Sequence, residues 1–434
     1  MMFENRMLIA TESRKDTENA VCFRAFVSRQ RMSVAILLLV TITACSGTES
    51  DIGKTEHIQI LDEIPEHILE VENLTIFPGD SEPRYSIELF PEQTFGEKGE
   101  PFLSQVYLSV VDDNDRVIIL NAKANYEHSL YVYDVDGAYY TQIGGPGRGP
   151  GEYGFVFDVQ ARLGEVIVRD IANQRLNLYN TDDYNFDRSM LFDQLPIRSH
   201  ESVKGMELGL IMPRNDGNYL VSFSERESAS GYKELLMDKN GYALNFEPVL
   251  FPSSLSIRVP ARSMVPSLRL GGMMGQTLTA LSGEDALYSI WTMDFLIKKY
   301  DSNGIYQSAI YYPLKGLPFD LDEYVKTVPF GYNARDIEKG LESKDIGLPE
   351  TIPVLDNLMV DDENRIWAAV LMDPQRENYE WWILAPTGEL LAKLQRPSKK
   401  TIFDIKNGYL YAKEIDDETD AEYVVKYRME WTER

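Results

Sequence analysis

The sequence has little of what most metal sites and nucleophilic enzymes are built from. Two cysteines and four histidines occur in 434 residues, and none of the spacings HExxH, HxxxH or CxxC is present, which argues against a His-rich or Cys-rich metal site. There is no GxSxG motif for a nucleophilic serine. Basic residues are also scarce, 43 against 69 acidic ones, and the formal net charge of −26 argues against nucleic acid as a partner.

Long hydrophobic runs are missing too, but a short one lies near the N-terminus. Ser33 to Thr43 (SVAILLLVTIT) is uncharged and mostly apolar, too short to span a bilayer but suited to the hydrophobic region of a signal peptide. It runs into Ile42-Thr43-Ala44-Cys45, which resembles a bacterial lipobox. The resemblance implies that Cys45 is lipidated. The alternative is an ordinary signal peptide with an incidental cysteine.

These features divide the chain into three predicted parts. Residues 1–44 are a signal peptide region, with Met7 and Met32 as alternative true starts, and residues 45–84 are a lipidated N-terminus and tether. Residues 85–434 form one folded domain. Because acyl chains on Cys45 would anchor the protein without a spanning helix, the expected location is the bacterial cell envelope, on the outer membrane, in either leaflet.

The body of the chain repeats a pattern of turns and strands six times. A short polar turn precedes an alternating strand at 112–115, 163–164, 215–217, 283–285, 362–364 and 407–408. In five of the repeats a second turn ends 19 to 24 residues later, at Gly137, Asp183, Gly241, Gly304 and Gly388. Polar turns between strand-forming residues predict antiparallel hairpins. Four strands in each of six units predict an all-β, six-bladed β-propeller with four-stranded antiparallel blades.

The two ends of the repeat predict how the ring closes. The sixth unit ends at Arg434 without a fourth strand, and a spare strand, Tyr85 to Phe90, precedes the first unit. A blade without its outer strand would expose an open edge. The N-terminal strand is therefore predicted to complete the last blade.

A glycine-rich stretch, QIGGPGRGPGEYG at 142–154, raises the question of a phosphate site. Pro146 and Pro150 remove amide donors, no GK[ST] follows, and the next residues are strand-like, unlike a phosphate-binding loop before a helix. The stretch is predicted to be a joint between the first two blades. Arg148 within it is a candidate for ligand contact.

A family resemblance supports the propeller. VRDIANQRLNLY at 168–179 resembles an NHL repeat, and GGPGRGPGEY at 144–153 resembles the blade connection of bacterial six-bladed β-propeller lipoproteins related to NHL proteins. The resemblance implies mainly structural roles for Asp170, Asn173 and Arg175. Asp170 would fix a turn, and Arg175 would pack between blades.

Two segments interrupt the repeat. Residues 251–275 contain Arg258, Arg262 and Arg269 and no acidic residue, and they predict an insertion between the third and fourth blades. It is either a lid or binding surface for an anionic or glycan ligand, or a strand and loop whose arginines balance nearby acids. Residues 313–353 have helical spacing between prolines and predict a small helical insertion between the fourth and fifth blades.

Aromatic residues give one further expectation. Trp381 and Trp382 fall in a predicted blade strand, where adjacent side chains point to opposite faces. One of the two is therefore expected to be less buried than the other. An exposed aromatic ring near the channel mouth could stack on a sugar or a peptide.

No catalytic residues stand out, so the predicted function is a lipid-anchored, non-catalytic binding module without a cofactor. The expected partners are an envelope protein, peptide or glycan, together with the membrane, and the expected state is a monomer. The alternative is a metal-dependent hydrolase or lyase that holds calcium on channel carboxylates, as lactonase and lyase relatives hold a metal. The acidic stretches at 112–115 and 134–137 lack the twelve-residue calcium-loop pattern and are predicted to be turns.

Overall fold

The computed structural model describes residues 59–122, 127–224, 231–258, 267–328 and 333–434. These residues belong to one compact unit, 55–434. Its main sheets are six antiparallel blades in chain order, each with four blade strands. The chain is therefore a six-bladed β-propeller, as the repeat predicted.

The blades follow one another along the chain with short turns between their strands. Turn residues such as Asp115, Asn364 and Asn407 have φ of 59°, 63° and 55°, a left-handed conformation that Asp and Asn adopt more easily than other side chains. The strands are Val106–Val111, Val117–Ala122, His128–Tyr133 and Tyr139–Ile143 in blade 1; Val156–Arg162, Glu165–Asp170, Arg175–Asn180 and Phe186–Leu191 in blade 2; and Glu207–Pro213, Tyr219–Ser224, Tyr232–Met237 and Val249–Phe251 in blade 3.

Blades 4 to 6 continue the same order from the inner to the outer strand. Their strands are Thr277–Leu281, Leu287–Trp291, Leu296–Tyr300 and Tyr306–Tyr311 in blade 4; Leu355–Val360, Ile366–Leu371, Asn378–Leu384 and Leu390–Pro397 in blade 5; and Ile402–Lys406, Tyr409–Ile415 and Glu422–Glu433 in blade 6. The fourth strand of blade 6 is Tyr85–Phe95, which pairs antiparallel with Glu422–Glu433. The predicted closure by the N-terminal strand is confirmed, and that strand extends five residues beyond Phe90.

The core lies between the blades, because both faces of each sheet pack against a neighbour. Trp381 and Trp382 are each only 2% exposed, so the expectation that one would be less buried is wrong. Trp382 packs with Phe295 and Tyr312 of the blade 4 region, and Trp381 packs toward blade 6 with Ile402. Alternation does place the two indoles on opposite faces, but in a propeller both faces are buried.

The folded unit begins earlier than the predicted boundary at residue 85. Ile68, in the short helix α1 (Glu66–Leu69), is fully buried in a cluster with Leu296 and Tyr311 of blade 4. Residues Leu74–Ile76 pair in parallel with the outer strand of blade 4 as a fifth strand. Residues 59–84 are thus packed on the propeller, where a tether was predicted.

The two predicted insertions form one small subdomain. The first contains the hairpin Ser256–Arg258 and Ser267–Arg269 and helix α2 (Gly271–Met274), and the second contains helices α3 (Leu321–Thr327) and α4 (Ala334–Glu342). They bury a shared apolar cluster, which we call the cap core: Ile257, Leu270, Met273, Tyr324, Ile337 and Leu341. The sequence indicated two separate insertions, and the structure packs them against each other.

The turns that join the first and second strands of the blades define one end of the channel, which we call the hairpin face. Hydrogen bonds cross from blade to blade around this face and close a ring. They are Gly164 N to Asp113 Oδ2 (2.9 Å), Arg162 Nη1 to Pro213 O (3.1 Å), Asn215 N to Asp285 Oδ1 (2.7 Å), Gly283 N to Asn364 Oδ1 (3.1 Å), Asn407 N to Asp362 Oδ2 (2.7 Å) and Asn407 Nδ2 to Asp115 Oδ1 (2.7 Å). The opposite end, with the connections between blades, is called the loop face.

Candidate functional site

The glycine-rich stretch connects blade 1 to blade 2 on the loop face. Gly144 and Gly151 have φ of 55° and 72°, and a Cβ on Gly144 would lie 2.4 Å from the Gly151 carbonyl oxygen. Only glycine fits such a close crossing of two backbone segments. The predicted joint is therefore present, between the strands that end at Ile143 and begin at Val156.

The three residues of the NHL-like motif hold this joint in place. Asp170, which is fully buried, accepts hydrogen bonds from the backbone of Gly154 and Phe155, each at 3.2 Å. Asn173 donates to Asp170 Oδ2 at 2.6 Å and to the carbonyl of Gly147 at 2.9 Å. Arg175 donates from Nη2 to the carbonyl oxygens of Gly149 (2.9 Å) and Glu152 (2.7 Å). All three side chains are engaged by the protein itself.

The candidate ligand-binding arginines lie at different blade junctions. Arg148 is exposed in the joint between blades 1 and 2, and Arg269 is exposed at the end of its strand in the insertion after blade 3. The backbone of Arg258 pairs in the same hairpin, whereas its side chain and all of Arg262 lie outside the described residues. The structure thus does not bring Arg148 and Arg269 together at one junction.

A recurring irregularity in the inner strands was not predicted. The first strands of blades 6, 1, 2 and 3 contact one another in turn, as do those of blades 4 and 5. Five of the six first strands contain a β-bulge near the loop face. A bulge re-aims the side chain of the extra residue. The bulged side chains are Tyr107 in blade 1, Phe157 in blade 2, Leu210 beside Gly209 in blade 3, Asp356 in blade 5 and Phe403 in blade 6.

Three of these bulges, in the consecutive blades 6, 1 and 2, carry aromatic residues. We call Phe403, Tyr107 and Phe157 the aromatic row. Tyr107 and Phe157 are 47% and 46% exposed, whereas Phe403 is partly buried against a hydrophobic cluster that contains Val106 and Tyr411. The sequence does show that these three positions are equivalent. In the inner strands VYLSV, VFDVQ and IFDIK, an aromatic residue directly follows the first apolar residue.

Two rings of the aromatic row, Tyr107 and Phe157, contact polar side chains. The Tyr107 ring stacks on His128 with centroids 6.1 Å apart, and His128 Nδ1 accepts a hydrogen bond from the backbone of Val156 at 3.1 Å. Burial lowers the pKa of His128, so it is a neutral structural group at neutral pH. The Arg169 guanidinium lies 5.0 Å from the centre of the Phe157 ring, a cation–π distance.

A cleft of about 110 Å³ opens between blades 5 and 6. Asp356, the bulged residue of the blade 5 inner strand, lines this cleft. Its carboxylate pairs with Arg376 and accepts a hydrogen bond from the Tyr379 hydroxyl. Lys400 lies on the opposite wall, 2.6 Å from Glu414 Oε2. The lining residues are Asp356, Asn357, Tyr379, Trp381, Pro397, Ser398, Lys400, Thr401 and Ile402.

Metal-ligating side chains do not converge in the part of the chain that the structure describes. No group of three or more His, Cys, Asp and Glu residues there is arranged to hold a metal ion. The inner-strand carboxylate of Asp404 is engaged separately, accepting from the backbone of Val111 at 2.9 Å, and Asp158 accepts from Gln160 at 2.6 Å. Asp112 accepts from the backbone of Asn114 and Arg116, in the turn that the sequence predicted.

Comparisons with known proteins agree with this fold class. A family model described as a 6-bladed beta-propeller matches residues 100–244. No curated protein matches the chain. Within the described residues, no helix has the length and apolar character needed to cross a membrane.

Solved structures similar to this chain come from several bacteria. A Bacteroides fragilis protein described as exported is 15% identical, with 82% of this chain and 99% of that chain covered and a TM-score of 0.49. An aldose sugar dehydrogenase with bound PQQ from Streptomyces coelicolor is 12% identical (80% and 100% covered, TM-score 0.40). The calcium-binding protein regucalcin from Agrobacterium tumefaciens is 10% identical (82% and 96% covered, TM-score 0.38). At these identities the comparison says nothing about activity.

Proposed function

We propose that this propeller is a lipid-anchored, non-catalytic binding module of the bacterial envelope that holds its ligand on the loop face. The observation that carries the proposal is the aromatic row, in which the bulges of three consecutive blades place Phe403, Tyr107 and Phe157 at equivalent positions and leave the Tyr107 and Phe157 rings exposed. Exposed aromatic rings stack on sugars and peptides at little cost in conformational entropy. Of the ligand classes considered, glycan, peptide and protein, the row of separate flat rings best fits a glycan.

The contrast between the two ends of the channel supports this choice of face. The hairpin face is occupied by tight turns whose polar groups are satisfied by the adjoining blades. The loop face carries the blade connections, the cap core and the bulged residues. Binding residues concentrate on loops that a rigid scaffold positions, and the loop face is the end with that arrangement.

The location is proposed from the N-terminal sequence. Residues 1–58 lie outside the described residues, so the lipobox-like Ile42-Thr43-Ala44-Cys45 supports the anchor by sequence alone. Metabolic labelling with a palmitate analogue tests it. Label should enter the wild-type protein and be absent from Cys45→Ala, and equal labelling of both would contradict lipidation.

The net charge of −26 supports a protein without nucleic acid partners, and we expect a monomer. No arrangement of the described carboxylates favours the calcium-dependent hydrolase or lyase over a binding role. We propose that the candidate site acts through surface side chains that contact the ligand.

Binding of the soluble chain from residue 46 onward to glycan and peptide arrays tests the function. A double variant, Tyr107→Ala with Phe157→Ala, should weaken binding to the recognised class by about tenfold or more, since anchor side chains dominate binding energy. Tyr242→Ala is the matched control, because Tyr242 is 59% exposed in a turn on the hairpin face. An unchanged signal for the double variant, or equal losses for both variants, would refute the loop-face assignment.

A further inference from the structure

The indole of Trp381 makes no hydrogen bond to the described residues and faces a cleft that is open to solvent. Trp367 and Trp382 donate from Nε1 to Asp361 (2.8 Å) and Glu380 (2.9 Å), whereas Trp381 makes no such bond to any described residue. Buried indole N–H groups usually find an acceptor. Trp381 is only 2% exposed and lines the cleft between blades 5 and 6. The indole N–H can therefore donate to a ligand that enters the cleft.

Other donors line the same cleft. The Asn357 side-chain oxygen accepts from the backbone of Leu358 at 2.8 Å, which leaves its amide hydrogens without an acceptor among the described residues. Lys400 uses one of its three ammonium hydrogens on Glu414. The cleft acceptor Asp356 is already occupied on one oxygen by Arg376 and on the other by Tyr379. The cleft consequently offers more unused donors than acceptors.

The charges around the cleft favour an anion. Lys400 and Arg396 both contact Glu414, at 2.6 Å each, so two cations face one carboxylate. Burial alone would raise the pKa of Glu414, but hydrogen bonds from Lys400 and Tyr427 and the charge of Arg396 hold it below its ordinary value. Arg376 neutralises Asp356. Of the charged groups that line the cleft, Asp356 is thus neutralised, and Lys400, with 39% of its side chain exposed, is the one a ligand can reach.

We infer that the cleft between blades 5 and 6 binds the carboxylate of a uronic acid residue in an acidic glycan. Lys400 supplies the charge, Asn357 and Trp381 donate hydrogen bonds, and the neighbouring sugars extend over the aromatic row. This inference rests on the proposed loop-face function and names its ligand class. Ile402 lines the cleft, and the next residue, Phe403, packs on the blade 1 side of the same inner strand.

A glycan carboxylate fits the lining better than the C-terminus of a peptide. Sites for a peptide C-terminus commonly hold its carboxylate in a nest of backbone N–H groups. Here the unused donors are side chains, and five of the nine lining residues are Asp, Asn, Ser, Lys or Thr. Polar walls of this kind suit the hydroxyl groups of a sugar.

The probe for the test is trigalacturonate, compared with its methyl ester and with N-acetylalanine. In ¹H–¹⁵N spectra of the chain from residue 46, trigalacturonate should shift the Trp381 indole signal, which is assigned by its loss in Trp381→Phe. The methyl ester has the same size without the charge and should bind about tenfold more weakly or worse, because charge-assisted hydrogen bonds are the stronger ones. Tighter binding of N-acetylalanine than of trigalacturonate would overturn the glycan assignment.

Variants of two adjacent lysines, Lys399 and Lys400, test which of them supplies the positive charge that binds the carboxylate. Lys400→Met should lower the affinity for trigalacturonate by about tenfold, and Lys400→Arg should restore most of it. The matched control is Lys399→Met, since Lys399 is exposed and does not line the cleft. Equal effects of the Lys399 and Lys400 changes, or equal binding of the acid and its ester, would overturn the inference.

The test separates this inference from the function on which it rests. If trigalacturonate leaves the Trp381 signal unmoved while Tyr107→Ala with Phe157→Ala still weakens array binding, the carboxylate cleft is refuted and the loop-face function stands. If the aromatic double variant has no effect either, both are refuted.

Discussion

The guanidinium of Arg376 in blade 5 donates from Nη1 to the carbonyl oxygen of Gly272, 2.9 Å away, in the insertion that follows blade 3. The same guanidinium pairs through Nη2 with Asp356 at the bulge of the blade 5 inner strand. One side chain therefore joins the cap core to the wall of the candidate cleft. The geometry of the cleft depends on how the insertions pack.

Replacing Arg376 should destabilise both the cap core and the wall of the cleft between blades 5 and 6. Arg376→Ala leaves Asp356 without its cation, and removing one partner of this partly buried pair should cost about 1–3 kcal/mol. We expect a lower urea midpoint and faster proteolysis within residues 251–275. Arg335→Ala is the control, because Arg335 is exposed on α4. A midpoint equal to that of Arg335→Ala would show that the Arg376 contacts contribute nothing to stability.

Glu234 in blade 3 should make the stability depend on pH. It is 1% exposed, and its Oε2 has no partner among the described residues. Burial raises its pKa to about 8, partly offset by a hydrogen bond with Thr279. The folded state therefore keeps this proton to a higher pH than the unfolded state, whose pKa is near 4.5. The Glu234 contribution is favourable at low pH and is lost as pH rises from about 5 to above 8.

Urea unfolding at pH 5 and pH 9 measures this effect. Glu234→Gln should be more stable than wild type at pH 9, by about 1–3 kcal/mol, with little difference at pH 5. Glu247→Gln, at an exposed position, should follow the wild type at both values. A constant difference between Glu234→Gln and wild type across this range would contradict the buried protonated form.

Asp170 should be the most sensitive residue of the glycine-rich joint. Asp170→Ala removes the acceptor of Gly154, Phe155 and Asn173 and leaves Arg175, whose Nε lies 3.5 Å from Asp170 Oδ2, without a carboxylate. The expected loss is about 3–5 kcal/mol in the free energy of unfolding. Asp182→Ala, an exposed turn position in the same blade, should change it by less than about 0.5 kcal/mol.

Ring closure can be tested by moving one strand. A chain that begins at residue 97 lacks Tyr85–Phe95, so Glu422–Glu433 loses its partner and exposes an edge that promotes association. Size-exclusion chromatography should show aggregates, whereas a chain beginning at residue 59 should be monomeric. Appending residues 59–95 after Arg434 through a flexible linker returns both this strand and Leu74–Ile76, which pairs with blade 4, and should restore the monomer. A monomeric, cooperatively melting chain from residue 97 would contradict the closure.

Much of the architecture could be predicted because it depends on local chemistry. Turn residues such as Asp115 and Gly164 adopt positive φ and mark hairpins in the sequence itself. The number of blades and the unpaired strand at each end then left one economical way to close the ring. The glycine-rich joint was identified for the same reason, since its proline and glycine content excludes a phosphate loop.

The candidate site was harder to predict because it combines distant positions. Asp356, Trp381 and Lys400 line one cleft but belong to different strands and to a connection between blades. A bulge depends on the register between two strands. The shared position of Tyr107, Phe157 and Phe403 was visible in the sequence, but the exposure of the first two rings was not. Arg148 and Arg269 were candidates only because of the composition of their segments. They lie at separate blade junctions, after blade 1 and after blade 3.

The sequence by itself determined the repeat, the six antiparallel blades and the strand that closes the ring, because these follow from turn residues and alternation along the chain. Only the tertiary structure decided that Trp381 and Trp382 are both buried, that residues 59–84 pack on blade 4 and that the two insertions share the cap core. Burial depends on which surfaces face each other between neighbouring blades. The alternation of residues along one strand does not show whether another blade packs on each of its faces.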